Sequence, residues 1–258
     1  MSPGSEWEQV DCIPISDRGF RYGMHLFESF ASVDGHPEFI EAHLARLGSS
    51  AQRLQYRPPV GWNTHVVHLL HKVLDSSPTF GRIHLTAGDG GPADPPSEAR
   101  VIVTLEQRSR SLPGSYALAP LDCPPHADDE PDLGFLKSGH YSLRCNSLRK
   151  ARALGADEAL LFDPMAGAIS GAMSNFFWKA NGRWHTAPIG FSVRNGVWRE
   201  WWMHQSRATE SQLTPEQLPH IQAATLTSSW IGVMPIHRIG DISLAELAPR
   251  IARQPRPL

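Results

Sequence analysis

LGFLKSGHYSLRCNSLRKARALGADEALLFDPMAGAISGAMSNFFW, running from Leu133 to Trp178, is the stretch whose reading decides the fold. An apolar run ends in a lysine, Lys137, and a segment of helical period follows it. Glu158 to Phe162 reads as a buried strand, and a turn of small residues leads into a second strand that ends at Trp178. A lysine that closes an apolar run loses hydration, which favours its neutral amine as nucleophile and base. Taken alone it is equally a strand-end residue whose ammonium reaches out to water. The rest of the chain has to decide.

At 258 residues the chain suits one large domain or two of about half that length. Hydrophobic residues make up 41% and charged residues 19%, the balance of a globular chain. A formal net charge of -2 leaves no basic surplus for a nucleic-acid backbone. The opening MSPGSEWEQVDC has neither the basic nor the apolar region of a signal peptide, and no apolar run reaches membrane-span length. Cys12, Cys123 and Cys145 are scattered without metal-type spacing, which favours a reducing compartment over a disulfide framework. The expectation is a cytoplasmic protein that touches neither nucleic acid nor membrane.

Leu26 to Val33 alternates as a strand, and Asp34-Gly35 turns it into a short returning strand. Ile40, Leu44, Leu47, Ala51 and Leu54 mark an amphipathic helix, with His43 and Arg46 beside the stripe. A second helix over WNTHVVHLLHKVLDS turns Val66, Leu69, Leu70 and Val73 inward. Its His65, His68 and His71 recur at every third residue but lack a carboxylate or cysteine to complete a metal set, so no metal is expected. GRIHLTAG and ARVIVTLEQ read as strands, and the polar RSRSLPGS after them as an interdomain linker. The domain reading is therefore 1–108, a linker over 109–115, and 116–258. In the second part YALAPL, AATLTSS and VMPIHRIG are strands and Asn181-Gly182 is a hairpin turn. TPEQLPHI is a short helix, and SLAELAPRIAR a closing helix capped by Ser243.

Two features suit a phosphate. Asn195-Gly196-Val197-Trp198 stands directly before a helix, where free amides and the positive dipole end converge, and Thr227-Ser228-Ser229 ends a strand with hydroxyls and amides. Each alone is also an ordinary loop. With Lys137 they supply what a pyridoxal phosphate site needs.

The order DRG, Gly23, Phe27-Glu28, HLARL, LKSGHY, ADEALLFD, SNFFW, NGVWRE and TSSWIGVMPI resembles the class IV aminotransferases, from about Asp17 to about Leu247. That group includes branched-chain and D-amino-acid transaminases and aminodeoxychorismate lyase. Trp198, standing where transaminases usually carry threonine, together with NFFW, VMPI, GDIS and the short chain, is most similar to the lyase. The resemblance implies a two-domain fold like that of D-amino-acid aminotransferase. A small N-terminal α+β domain would precede a larger domain with a barrel-like core. It also implies a homodimer, a small amino substrate and pyridoxal 5'-phosphate. Lys137 would carry the cofactor and move protons at the substrate α-carbon. Arg46, the amides of Val197 and Trp198, and Ser228 and Ser229 would bind its phosphate. Tyr141 would face its phenolic oxygen, and Phe27 and Glu28 would lie over the substrate.

Two positions depart from the family pattern. The glutamate that pairs with the pyridine nitrogen is replaced by Ser170. A hydroxyl cannot hold a proton on that nitrogen as a carboxylate does, since charge-assisted hydrogen bonds are about twice as strong as neutral ones. A weaker electron sink disfavours transamination more than elimination. The second departure is the loop AGDGGPADPP, which lacks the lyase arginine; Arg82, Arg144 and Arg194 are the candidates to replace it. The leading expectation is a lyase of folate biosynthesis that releases pyruvate and 4-aminobenzoate. The alternatives are an aminotransferase acting on D-amino acids, branched-chain amino acids or amines, and a degenerate member with weak or no cofactor binding.

Overall fold

The computed structural model describes residues 7–95, 98–109, 111–123, 136–190 and 193–253. The acidic, proline-rich loop beginning at Pro124, and the apolar run as far as Phe135, lie outside the described residues. The chain divides into two compact units, Met1–Arg108 with Lys137–Gly139, and Ser109–Leu136 with His140–Leu258.

In the first unit Asp17 starts α1 (Arg18–Tyr22) by accepting the Gly19 amide at 2.7 Å, and Gly23 ends it in the left-handed region. β1 (His25–Val33) turns through Asp34 and Gly35 into β2 (His36–Pro37), and α2 (Ile40–Arg53) and α3 (Trp62–Val73) follow. β3 (Thr79–Thr86) and β4 (Val101–Gln107) complete a sheet of order β2-β1-β3-β4, antiparallel throughout. The apolar stripe of α2, Ile40, Leu44, Leu47 and Ala51, is buried as its spacing predicts. On α3 Val66 and Leu70 are buried, but Val73 is 45% exposed because the helix stops there and Leu74 turns extended.

The second unit contains β5 (Tyr116–Asp122), α4 (Ser142–Ala153), β6 (Glu158–Asp163), β7 (Gly167–Gly171), β8 (Asn175–Ala180), β9 (Arg183–Thr186) and α5 (Val197–Ser206). β10 (Thr209–Glu210), a 3-10 turn (Pro215–His220), β11 (Ala223–Ser228), β12 (Gly232–Ile239) and β13 (Ile242–Ser243) follow. The path β8-β11-β12-β5-β6-β7 returns to β8, so six strands close into a barrel. Every barrel strand contributes to one core: Leu118, Leu160, Ala168, Phe176, Leu226 and Met234. Closure removes the edges that an open sheet would expose. A second cluster, with Ala119, Ala159, Leu161 and Ile169, packs against Ala151 of α4.

Two expectations are corrected here. The small-residue run after β6 is not only a turn: Gly167–Gly171 forms β7, buried along its whole length. The closing segment is not a helix. Ser243 belongs to β13, Ile251 bridges to Val233, and Arg250 Nη1 donates to the carbonyls of Ile231 and Val233 at 2.6 and 2.9 Å. Trp198 and Trp202 of α5 are buried, at 1% and 5% exposure, and belong to the core. Among the described residues no helix is long and apolar enough to cross a membrane.

Candidate active site

In the first unit the alternation of β1 decides where its side chains go. Phe27 pairs with His84 and Glu28 with Ile83, so the two neighbours point to opposite faces. Glu28 lies on the α2 face, 1% exposed, where Arg46 Nε and Nη2 grip its two oxygens at 2.7 and 2.6 Å and His43 Nδ1 lies 2.8 Å from Oε2. Burial alone would raise the Glu28 carboxyl, but the Arg46 charge and the hydrogen bonds hold it well below the glutamate range. Burial, the largest influence on His43, moves that ring the other way, down from its ordinary value. Phe27 and Glu28 therefore lie on opposite faces of the sheet, and the planar fork of Arg46 is engaged by the Glu28 carboxylate.

Lys137 joins this unit through backbone pairing. Its carbonyl accepts the Phe27 amide at 2.8 Å, and Ser138 bridges to Leu26. That register puts Lys137 on the Phe27 face, with Nζ 4.6 Å from the ring centroid.

In the second unit a polar row runs across three neighbouring strands. Ser170 of β7 pairs with Asn175 of β8, and Asn175 pairs with Thr227 of β11. Opposed residues share a face of the sheet. At one end Arg144 of α4 donates Nη1 to Ser170 Oγ at 3.2 Å and to the carbonyls of Gly171 and Ala172 at 3.2 and 3.3 Å. Arg144 is 8% exposed; burial, then the Arg194 charge, brings it down to about 10.

In the middle of the row, Asn175 Nδ2 donates to the Arg194 carbonyl at 2.9 Å. Its Oδ1 occupies the space that a Cβ on Gly196 would need, so only glycine lets the start of α5 come this close. At the other end, Thr227 Oγ1 is buried without a hydrogen-bond partner among the described residues. Arg194 Nη1 donates to Tyr141 Oη at 2.5 Å, its guanidinium 4.9 Å from that ring's centroid, while its Nε is also buried without a partner. Ser228 Oγ accepts the Ile231 amide at 3.5 Å.

These features fit a phosphorylated cofactor. Gly196 offers no side chain to cap α5, whose first residues are Val197 and Trp198. An uncapped amide terminus, an orphaned hydroxyl and a guanidinium nitrogen in need of an acceptor suit a phosphate. Asn195-Gly196 and Thr227-Ser228-Ser229 stood out in the sequence as candidates for phosphate chemistry. The contacts of Arg144 and Asn175 with Ser170 and Gly196 did not, because they exist only once α4 and the strands β7 and β8 are packed together.

A six-strand barrel joined to a small α+β unit, with an anion cradle at a helix start, defines the fold of a class IV aminotransferase. The chain belongs to that family: the family model "Amino-transferase class IV" matches residues 25–239. It is similar to the aminodeoxychorismate lyase of Bacillus subtilis (strain 168), with 25% identity over 245 residues, 88% of this chain and 81% of that one. Among solved structures it shares its fold with a provisionally assigned 4-amino-4-deoxychorismate lyase of Legionella pneumophila (24% identity, 92% and 90% of the two chains, TM-score 0.79). It shares it also with a hypothetical aminotransferase from Mycobacterium tuberculosis in its PLP-bound form (19% identity, 97% and 90%, TM-score 0.79).

Proposed function

We propose that this protein is a pyridoxal-phosphate-dependent lyase of the aminodeoxychorismate type, releasing pyruvate and leaving 4-aminobenzoate. When bound, the cofactor supplies a sink for charge left at the substrate α-carbon. Lys137 holds it and carries the α-proton. The amides of Val197 and Trp198, with Thr227, Ser228 and Ser229, bind its phosphate, and Arg194 fixes the Tyr141 hydroxyl that faces its phenolic oxygen.

The observation that carries elimination over transamination is the contact of Arg144 with Ser170. Ser170 Oγ accepts from a cation, so its own hydrogen is left to donate. A donor flanked by a positive charge matches a pyridine nitrogen without a proton, whereas a carboxylate would match one that carries it. A ring nitrogen left neutral makes a weaker sink, which suffices where a leaving group departs at once. The free state of all three cysteines suits a cytoplasmic enzyme, and the family resemblance supports a homodimer.

The test is to mix the yellow holoenzyme with D-, L- and branched-chain amino acids and a keto-acid acceptor. The proposal expects little conversion of the cofactor to pyridoxamine phosphate; rapid conversion would overturn it in favour of an aminotransferase.

A further inference from the structure

Residues 244–253 form a strap that returns to the turn between β11 and β12, the turn that carries Ser229. Among the described residues β12 pairs with β5 from Ile236 onward, so the backbone of its first residues needs another partner. The strap supplies it. The Val233 amide donates to the Ile251 carbonyl at 2.8 Å, and the Ile251 amide donates back to the Val233 carbonyl at 3.0 Å. Arg250 Nη1 gathers three carbonyls around this pair, those of Ile231, Val233 and Ile251, at 2.6, 2.9 and 3.0 Å. A Cβ on Gly232 would overlap the Ile251 carbonyl oxygen, so strap and turn are pressed together at a residue in the left-handed region.

On its other side β12 meets β11, where Thr227 pairs with Val233 and Ser228 with Gly232. A trans peptide plane carries its C=O and N–H in opposite directions. Carbonyls of Ile231 and Val233 drawn to Arg250 therefore turn the amides of Gly232 and Met234 toward β11. Ile231 is held at both ends: Ser228 Oγ accepts its amide at 3.5 Å, and its carbonyl accepts from Arg250. Its side chain is buried in the barrel core. Hydroxyls and amides bind an anion more tightly when they are ordered before it arrives, because that cost is not charged to binding.

We propose that Arg250 is a positioning residue for the cofactor's phosphate. From the strap it fixes the β11–β12 turn, and through the turn it holds Thr227, Ser228 and Ser229 in the arrangement that receives the anion. This rests on the reading that those three residues bind the phosphate. Arg250 acts through backbone carbonyls, not on the cofactor.

The experiment compares pyridoxal 5'-phosphate with pyridoxal, which lacks the phosphate, by fluorescence titration of the full-length cofactor-free protein. The native protein should bind the phosphorylated compound much more tightly. In Arg250→Gln that preference should fall about tenfold, the order of a weakened hydrogen bond to a charged group, with pyridoxal affinity unchanged. Arg250→Lys keeps a cation with N–H donors and should recover part of the preference. A preference unchanged in Arg250→Gln, or an equal loss for both compounds, would overturn the proposal. Where Arg250→Gln does not fold, a native preference in Arg250→Lys would overturn it instead. A native protein that binds the two compounds equally would overturn the phosphate cradle of the proposed function, and this inference with it. A native preference that survives in Arg250→Gln would overturn the part given to Arg250 alone.

Discussion

Arg144 Nη1 lies 3.2 Å from Ser170 Oγ, bringing a buried guanidinium from α4 to a hydroxyl on the barrel strand β7. The two are 26 positions apart in the chain, and the contact sets the polarity of the hydroxyl: it accepts on the Arg144 side and donates on the other. The proposal of elimination over transamination rests on that polarity.

Replacing Ser170 by glutamate should reverse it. The carboxylate would pair with Arg144 and accept from the cofactor, strengthening the sink. Ser170→Glu is expected to raise the half-reaction with amino acids by at least about tenfold, about 1.4 kcal/mol of barrier. Stopped-flow absorbance of the holoenzyme measures it; an unchanged rate in a folded variant would count against the role given to Ser170.

The buried pair of Glu28 with Arg46 and His43 ties β1 to α2. Glu28→Gln leaves a cation underpaired beneath the sheet and should cost about 3 kcal/mol in urea unfolding. Since the folded carboxyl is held below its ordinary 4.5, the pair's stabilisation is fully present above that value. It declines as pH falls toward the lowered folded value. Acid unfolding should therefore flatten in Glu28→Gln relative to the native protein.

Glu158 behaves in the opposite sense. Burial, opposed by a hydrogen bond from the Met173 amide at 2.6 Å, pushes its carboxyl up to about 7. Between about pH 4.5 and 7 the folded state holds a proton that the unfolded state has lost, so this residue's contribution falls as pH rises through that window. Glu158→Gln keeps an acceptor for Met173 and should remove this slope. Denaturant midpoints at pH 5 and pH 8, compared between the two proteins, decide it.

Thr227→Val removes the orphaned hydroxyl and keeps the shape. With no partner for Oγ1 among the described residues, the cofactor-free variant should be at least as stable as the native chain. Affinity for pyridoxal phosphate should drop about tenfold, the order expected of a lost hydrogen bond to a charged group. Fluorescence titration with the cofactor reads the change; equal affinity would remove Thr227 from the cradle.

Much of this architecture is legible in the residues themselves. The stripe from Ile40 to Ala51 and the Asn181-Gly182 turn are local signals that packing reinforces, while Leu26 to Val33 forms the expected strand but is buried on both faces. Gly167–Gly171 was hidden because small residues look like a turn, and only barrel closure, which buries the strand throughout, makes them a strand. SLAELAPRIAR carries helical spacing, but it contains Pro249 and is held extended by Arg250 and the Val233–Ile251 bridge, partners supplied by β12. Lys137 stood out as an amine in apolar company, while its place beside Phe27 depends on a strand pairing more than a hundred residues away in sequence. The Arg144–Ser170 contact likewise exists only once α4 lies on the barrel.

The direct measurement incubates the purified holoenzyme with aminodeoxychorismate and follows pyruvate and 4-aminobenzoate together. Elimination requires that both appear in equal amounts, with no keto-acid acceptor and with loss of both in Lys137→Ala. A holoenzyme that forms neither product, yet transfers amino groups from D- or branched-chain amino acids to a keto acid, would contradict it.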